Sequence, residues 1–312
     1  MHPAFSVIFL TTLIGVGQGF FIALYAAEMG AMLDTLPHQE PRFYVLGSLI
    51  AVGFLAAGLL ASFFHLGRPE RAWRAAAMWR TSWLSREVIV LPMFMGLVLL
   101  YAGLHYGERP ETLVAGAIAL AACIALFVCT AMIYACIKFL QEWATPLTTF
   151  NFMLLGAASG YTFAAAYALV ESPALAPTYA KWAIALTLAG LCMRVATLIR
   201  NARIRPRSSL QTAIGVKHPK IEQKAQGFMG GSFNTREFFH GKAAAVVRSV
   251  KWGFLLLGFA APVALLGAGV YWNSPVLTAS AFPVQYAGLI AERWFFFAQA
   301  RHPQNLYYQV IS

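Results

Sequence analysis

Charge is what this chain has least of. Only 11% of its 312 residues are Asp, Glu, Lys or Arg, against 59% hydrophobic, where a water-soluble domain carries about 25% charge. So few charges cannot cover a water-facing surface, which points to an integral membrane protein. Acidic residues are the scarcer sign: 12, against 23 Lys and Arg, for a formal net charge of +11. In a soluble protein that excess would suggest nucleic acid. In a membrane protein the basic residues sort to one side of the bilayer, so no nucleic-acid partner is expected. Cysteine is also sparse. Cys123, Cys129, Cys136 and Cys192 form no C-x-x-C pair, so neither an iron–sulfur cluster nor a zinc site is encoded, and the four read as small packing residues. No metal site is expected. Histidine is missing where a membrane haem would need it, because none of the seven (His2, His38, His65, His105, His218, His240, His302) lies at the middle of an apolar run. Nor does a basic stretch precede the first apolar run, which therefore reads as a span and not as a cleavable signal.

Long apolar runs take the place of charge. A membrane-crossing helix needs about 20 apolar residues. Eight runs meet that length, at roughly 4–29, 43–64, 87–106, 112–137, 147–170, 179–200, 252–271 and 276–298. Open strands cannot cross lipid with their backbone groups unpaired, so the runs are helices. The expected fold class is all-α: one integral membrane domain, 1–312, built as a polytopic bundle of eight transmembrane helices. Pro92 and Pro262 fall inside spans and should kink them. On the side that holds the N-terminus lie 19 Lys and Arg, against three (Arg42, Arg109, Lys181) on the other. The positive-inside rule then places both termini and the loops 65–87 and 201–250 in the cytoplasm. The 201–250 connection is basic and Gly-rich and has too few apolar residues for its own core. Its Phe228, Met229, Phe233, Phe238 and Phe239 favour ordering against a covering surface.

The chemically able side chains concentrate in 65–87, between the second and third runs. This stretch holds Arg68, Arg71, Arg74, Arg80 and Arg86, His65, Glu70 and Glu87, and Trp73, Trp79 and Trp83. His65 closes one span and Glu87 opens the next, so both stand at the same membrane face. A quinone takes up two protons with two electrons, and an imidazole and a carboxylate at the lipid boundary suit that exchange. Arg68 and Arg86 suit holding a carbonyl oxygen or keeping Glu87 ionised. Ordinary interface anchoring, and the preference of a carboxylate for a helix N-terminus, account for the same residues without any chemistry. Arg68, Arg71 and Arg74 recur every three residues and share a face if 70–78 is a surface helix. With the tryptophans that face suits a docked partner or the lipid head groups. Elsewhere, Arg194 lies within the sixth run but about 9 Å from Arg200 at 1.5 Å per residue, near enough to snorkel. Gln18 sits in a Gly15–Gly19 small-residue face that suits helix packing. Tyr134, Lys138, Gln141, Glu142 and Trp143 form a second polar cluster, read as interface anchors or as a wall of the same site. A secondary transporter would want paired polar sites at mid-membrane, where the chain offers only Gln18 and Arg194. A purely structural anchor is the other class left open.

His65-Leu-Gly-Arg-Pro69, Ala72-Trp-Arg74 and Ser82-Trp-Leu-Ser-Arg-Glu87, with the eight-run layout and the tail motifs Glu292–Ala298 and Asn305–Tyr308, resemble the DmsC family, the membrane anchors of dimethyl sulfoxide reductase. The resemblance implies a subunit without haem or cluster in a bacterial inner membrane. Such a subunit anchors a molybdopterin catalytic subunit and a ferredoxin-like subunit bearing [4Fe-4S] clusters, and it exchanges electrons with the quinone pool, ubiquinone or menaquinone. It implies a quinone and proton-transfer site at His65 and Glu87, with Arg68, Arg86, Ser85 and Trp83 around it. Partner docking is expected over Arg71, Arg74, Arg236, Phe238 and Arg301. Within the family, the basic Gly-rich segment 206–242 and the cytoplasmic reading of the loops resemble the anchor of cytoplasmic sulfite dehydrogenase (SoeC type). This implies sulfite oxidation with quinone reduction, and a dimethyl sulfoxide-type reductase drawing on menaquinol is the alternative.

Overall fold

The computed structural model describes residues 1–64, 66–224 and 237–307. Every regular element among them is a helix. They run α1 Phe5–Met32, α2 Pro41–Phe63, a 3-10 helix Pro69–Met78, α3 Trp83–Tyr106, α4 Thr112–Ala135, α5 Pro146–Glu171 and α6 Ala176–Ala202. The short α7 Leu210–Ile214, α8 Ala244–Leu255, α9 Ala261–Tyr271 and α10 Pro275–Ala298 follow. Seven are long and apolar enough to cross a membrane: α1 to α6, and the continuous stretch Ala244–Tyr271 made of α8, a π-turn and α9. The eighth expected run forms the 24-residue helix α10, which is too polar to join the seven. Its Gln285, Glu292 and Arg293 are all buried, because α10 packs against α1, α5, α8 and α9 and turns these groups toward protein.

α1 is the central post. It packs on α2, α4, α5 and α10, and it is apolar on all sides, as a helix surrounded by others must be. Its closest neighbour is α5. Gly15 and Gly19 of α1 face Gly156 and Gly160 of α5, and a Cβ on Gly160 would overlap the backbone of Gly19 and Phe20. Two small-xxx-small faces thus meet, which confirms helix packing as the role of Gly15–Gly19. Gln18 donates across to the Cys123 carbonyl of α4 at 2.9 Å. A second close approach sets Gly258 of the π-turn against Gly288 of α10. Pro262 has no N–H for the carbonyl four residues back, and Gln285 Nε2 serves that Gly258 carbonyl at 3.5 Å while also reaching Thr187 Oγ1 at 2.9 Å.

The helices alternate in direction, and side-chain bonds mark the two ends of the bundle. At one end the Met1 ammonium donates to the Ala300 carbonyl at 2.8 Å, Trp143 Nε1 to the Phe296 carbonyl at 3.0 Å, and Arg200 to the Gln141 carbonyl at 3.0 Å. The 3-10 helix and the start of α3 lie at this end. At the other, Tyr167 donates to the Phe43 carbonyl at 2.7 Å and Arg42 pairs with Glu171 at 3.4 Å.

Candidate functional site

The third run begins as a helix a turn earlier than its apolar pattern suggests. Ser82 is the N-cap of α3, its hydroxyl accepting from the Ser85 N–H at 3.3 Å, as a serine does at a helix start. Glu87 therefore stands inside the first turns of α3 and does not open the helix. Its side chain turns inward and is 5% exposed. Thr130 Oγ1 of α4 donates to Glu87 Oε1 at 2.5 Å, while Oε2 has no hydrogen-bond partner among the described residues. No cation among them lies within ion-pair distance of this carboxylate. It thus has one oxygen held and one available, which fits an acid that hands a proton to a carbonyl oxygen brought to it.

The other expected site residues separate into four groups. Ser85 is buried near Glu87 on α3. Arg86 does not face the carboxylate: its Nε and Nη2 donate to the Trp79 and Arg80 carbonyls at 2.9 and 2.8 Å, and its guanidinium lies 4.2 Å above the Trp83 ring. It ties the end of the 3-10 helix down onto α3. Arg68, Arg71 and Arg74 are exposed at the 3-10 helix, whose three-residue turn stacks positions three apart on one face. Arg74 lies 5.6 Å over Trp73. His65 and Arg236 lie outside the described residues, as do Phe228, Met229 and Phe233.

The N-terminus, the loop after residue 236 and the tail knit together at this end. His2 N donates to the Glu237 carbonyl at 2.9 Å, Asn305 to the Phe238 carbonyl at 3.1 Å, and the Phe238 ring stacks on His302 at 3.7 Å. Phe238 is thus covered within the chain, whereas Arg301 is exposed. Burial, outweighing the pull of Glu142, lowers the Met1 ammonium to about 6. Burial, and then the nearby N-terminal charge, lower His240 and His302. Within the cluster at 134–143, Tyr134 and Trp143 face inward and pack with Phe152, Phe296 and Phe297 under the bundle end.

The residues not legible as site members come from α10. Arg194 of α6 does not snorkel. It is 1% exposed and its Nε meets Glu292 Oε1 at 2.9 Å. Glu292 Oε2 lies 3.9 Å from Arg293 Nη2, and the Arg293 guanidinium stacks 3.7 Å above Phe152. Arg293 therefore belongs to the bundle interior and not to the tail, which leaves the asymmetry of basic residues intact. The signals for Glu292 and Arg293 in the sequence are two adjacent charges inside an apolar run and their place at the head of the Glu292–Ala298 motif, and neither points to Arg194. At the opposite end, Glu28 accepts from Tyr101 at 2.6 Å and stands 3.4 Å from His105 Nε2, with Tyr44 stacked on His105 at 4.2 Å. This tie joins α1, α2 and α3.

Comparison with known sequences gives two findings. The family model described as DMSO reductase anchor subunit (DmsC) matches residues 1–217. The chain is also 55% identical over 325 residues to a sulfite dehydrogenase subunit (the C component) of Allochromatium vinosum, with 100% of each chain covered.

Proposed function

The chain belongs to the DMSO reductase anchor subunit (DmsC) family, and from that membership we propose that this multi-pass membrane protein exchanges electrons and protons with the quinone pool for a three-subunit molybdenum oxidoreductase. The end-to-end 55% identity with a sulfite dehydrogenase subunit is the observation that carries the reading. It favours a complex that oxidises sulfite and reduces quinone.

In this reading the chain is one membrane domain of eight spans in a bacterial inner membrane, with α10 as the eighth. Both termini and the loops 65–87 and 201–250 face the cytoplasm. A ferredoxin-like subunit with [4Fe-4S] clusters docks over the exposed Arg71 and Arg74, with Arg236 and Arg301 at the rim and Phe238 supporting the surface from beneath through its stack on His302, and a molybdopterin subunit docks behind it. The quinone head group, ubiquinone or menaquinone, lies against His65 and Glu87, flanked by Ser85, Trp83, Arg68 and Arg86. Two electrons from the iron–sulfur subunit and two protons convert the quinone to a quinol. Glu87 and His65 supply the protons at the ring oxygens and refill from the same aqueous side, so the step is electroneutral. Arg86 acts by clamping the loop, since its hydrogens are engaged by the Trp79 and Arg80 carbonyls.

Glu87→Gln and His65→Arg should each abolish quinone-linked turnover while the complex still reacts with an artificial dye at the partner subunit. Unchanged quinone-linked rates in both variants would refute the assignment. The family description favours a second reading, a dimethyl sulfoxide-type reductase running the same path in reverse. Assays of the purified complex with sulfite and with sulfoxide separate the two.

A further inference from the structure

Two guanidinium groups and one carboxylate are buried together between α6 and α10. Arg194, Glu292 and Arg293 are exposed by 1%, 2% and 5%, and an arginine keeps its proton in a protein. The triad therefore carries a net positive charge inside the bundle, where an uncompensated charge is costly. Cation–π contacts to Phe152 and Phe254 offset part of this. Yet Arg293 Nε has no acceptor among the described residues. Arg293 lines a cavity whose wall also includes Thr130, Gln18, Ser159, Thr11 and Thr12. The space open to the centre of a water molecule is about 20 Å³, enough for one or two waters, and the wall offers the polar partners a buried water needs. Thr130, in that wall, also holds the Glu87 carboxyl, which has no cation in contact among the described residues.

We propose that this cavity holds water joining Arg293 to Thr130, so that the Arg194–Glu292–Arg293 triad is the buried counter-charge of the Glu87 carboxylate. The charges then close, two cations against two anions. The hydrogen bonds all run one way: Arg293 donates to the water, the water to Thr130, and Thr130 to Glu87 Oε1. Thr130 cannot donate to both sides, so its bond to Glu87 leaves its oxygen free to accept from the cavity. The groups near Glu87 on α4 are Thr130, which bonds it, and Cys129 and Tyr134, within electrostatic reach, while Arg86 of its own helix is turned away toward the Trp79 and Arg80 carbonyls. Tyr134 lies within electrostatic reach of both Glu87 and Arg293. Arg293 and Thr130 are thus positioning residues that keep Glu87 ready to accept a proton from the aqueous side. The proposal rests on the reading of Glu87 as the proton-exchanging acid.

The test uses the assembled complex in native membranes. The quinone-linked rate is followed against pH, and the Glu87 carboxyl band, assigned by its loss in Glu87→Gln, is followed by infrared spectroscopy. Arg293→Gln and Thr130→Val should each move the acid limb of the profile by about one pH unit toward alkaline and bring out a protonated Glu87 band at neutral pH. Arg293→Lys, which keeps the charge, should stay near the parent. If Arg293→Gln moves neither the limb nor the band, the proposal is overturned, because a shift in Thr130→Val alone reports only the direct Thr130–Glu87 bond. Should Arg293→Gln fail to assemble, Arg194→Gln decides: it cancels the net positive charge of the triad, leaves Arg293 beside Glu292 and Thr130 on Glu87, and an unmoved limb and band overturn the proposal. A small anion in the cavity is the rival counter-charge: if replacing chloride with gluconate reproduces the Arg293→Gln profile, the proposal also fails. An unaltered quinone-linked rate in Glu87→Gln would instead sink the Glu87 reading itself, and the infrared band would still report whether Arg293 and Thr130 bias that carboxyl.

Discussion

Glu292 is the sole anion among the described residues in contact with two buried guanidinium groups, so its neighbours depend on it more than it does on them. Glu292→Gln should leave both arginines without a counter-ion and destabilise the fold by about 3–5 kcal/mol, read as a drop in the thermal unfolding midpoint in detergent. Pairing it with Arg194→Met should recover part of the loss, because the second change removes one of the stranded charges. A loss no larger than that of an exposed pair such as Arg42→Gln would show that the triad is solvated. Half of this pair is legible in the sequence. Arg194 declares itself as an ionisable residue in an apolar run. Its partner lies about a hundred residues on, and nothing in local spacing joins them. Glu87 is legible for the opposite reason: it sits in a local motif with its own N-cap. That its side chain turns toward Thr130 depends on the pairing of α3 with α4.

The elements follow from local rules, and their contacts follow from the small residues they carry. α1 and α5 approach closely because each presents two glycines four apart, and a side chain at Gly160 would have to enter the backbone of α1. Gly160→Leu should therefore separate the helices and sharply lower the yield of folded, monodisperse protein. The same change at Gly53, where a Cβ meets open space, should be tolerated; equal yields for the two variants would refute the contact. Helix ends are as local. Counting apolar residues misses the start of α3 by one turn, because the count begins where polarity ends, whereas the helix begins at its cap. Ser82→Ala should cost about 1 kcal/mol and loosen the Arg86 clamp, seen as faster amide exchange at Ser85. The polar α10 is the element that composition could place but not explain. Its Gln285, Glu292 and Arg293 are tolerated because partners on α6 and the π-turn meet two of them and Phe152 covers the third.

At the scale of the whole molecule, the N-terminus, the end of the long connection and the tail close over one end of the bundle. The Met1 ammonium, lowered to about 6 by burial from an ordinary value near 8, loses its proton on docking. Docking is therefore favoured most above pH 8, weakens as pH falls from about 8 to 6, and levels off below. Protease cleavage near Arg301 should rise as the pH falls from about 8 to 6, and a flat response would refute the coupling. The membrane class, the approximate spans, their helical nature and the strong asymmetry of basic residues were all settled by the sequence itself, because each depends on composition or short-range periodicity that lipid enforces residue by residue. Only the tertiary structure decided which polar groups meet. It set Glu87 on Thr130, Arg194 on Glu292 and Arg293 against Phe152, and it turned Arg86 away from Glu87. These pairings join residues far apart in the chain, and in a medium without water a polar group goes where helix packing brings it a partner.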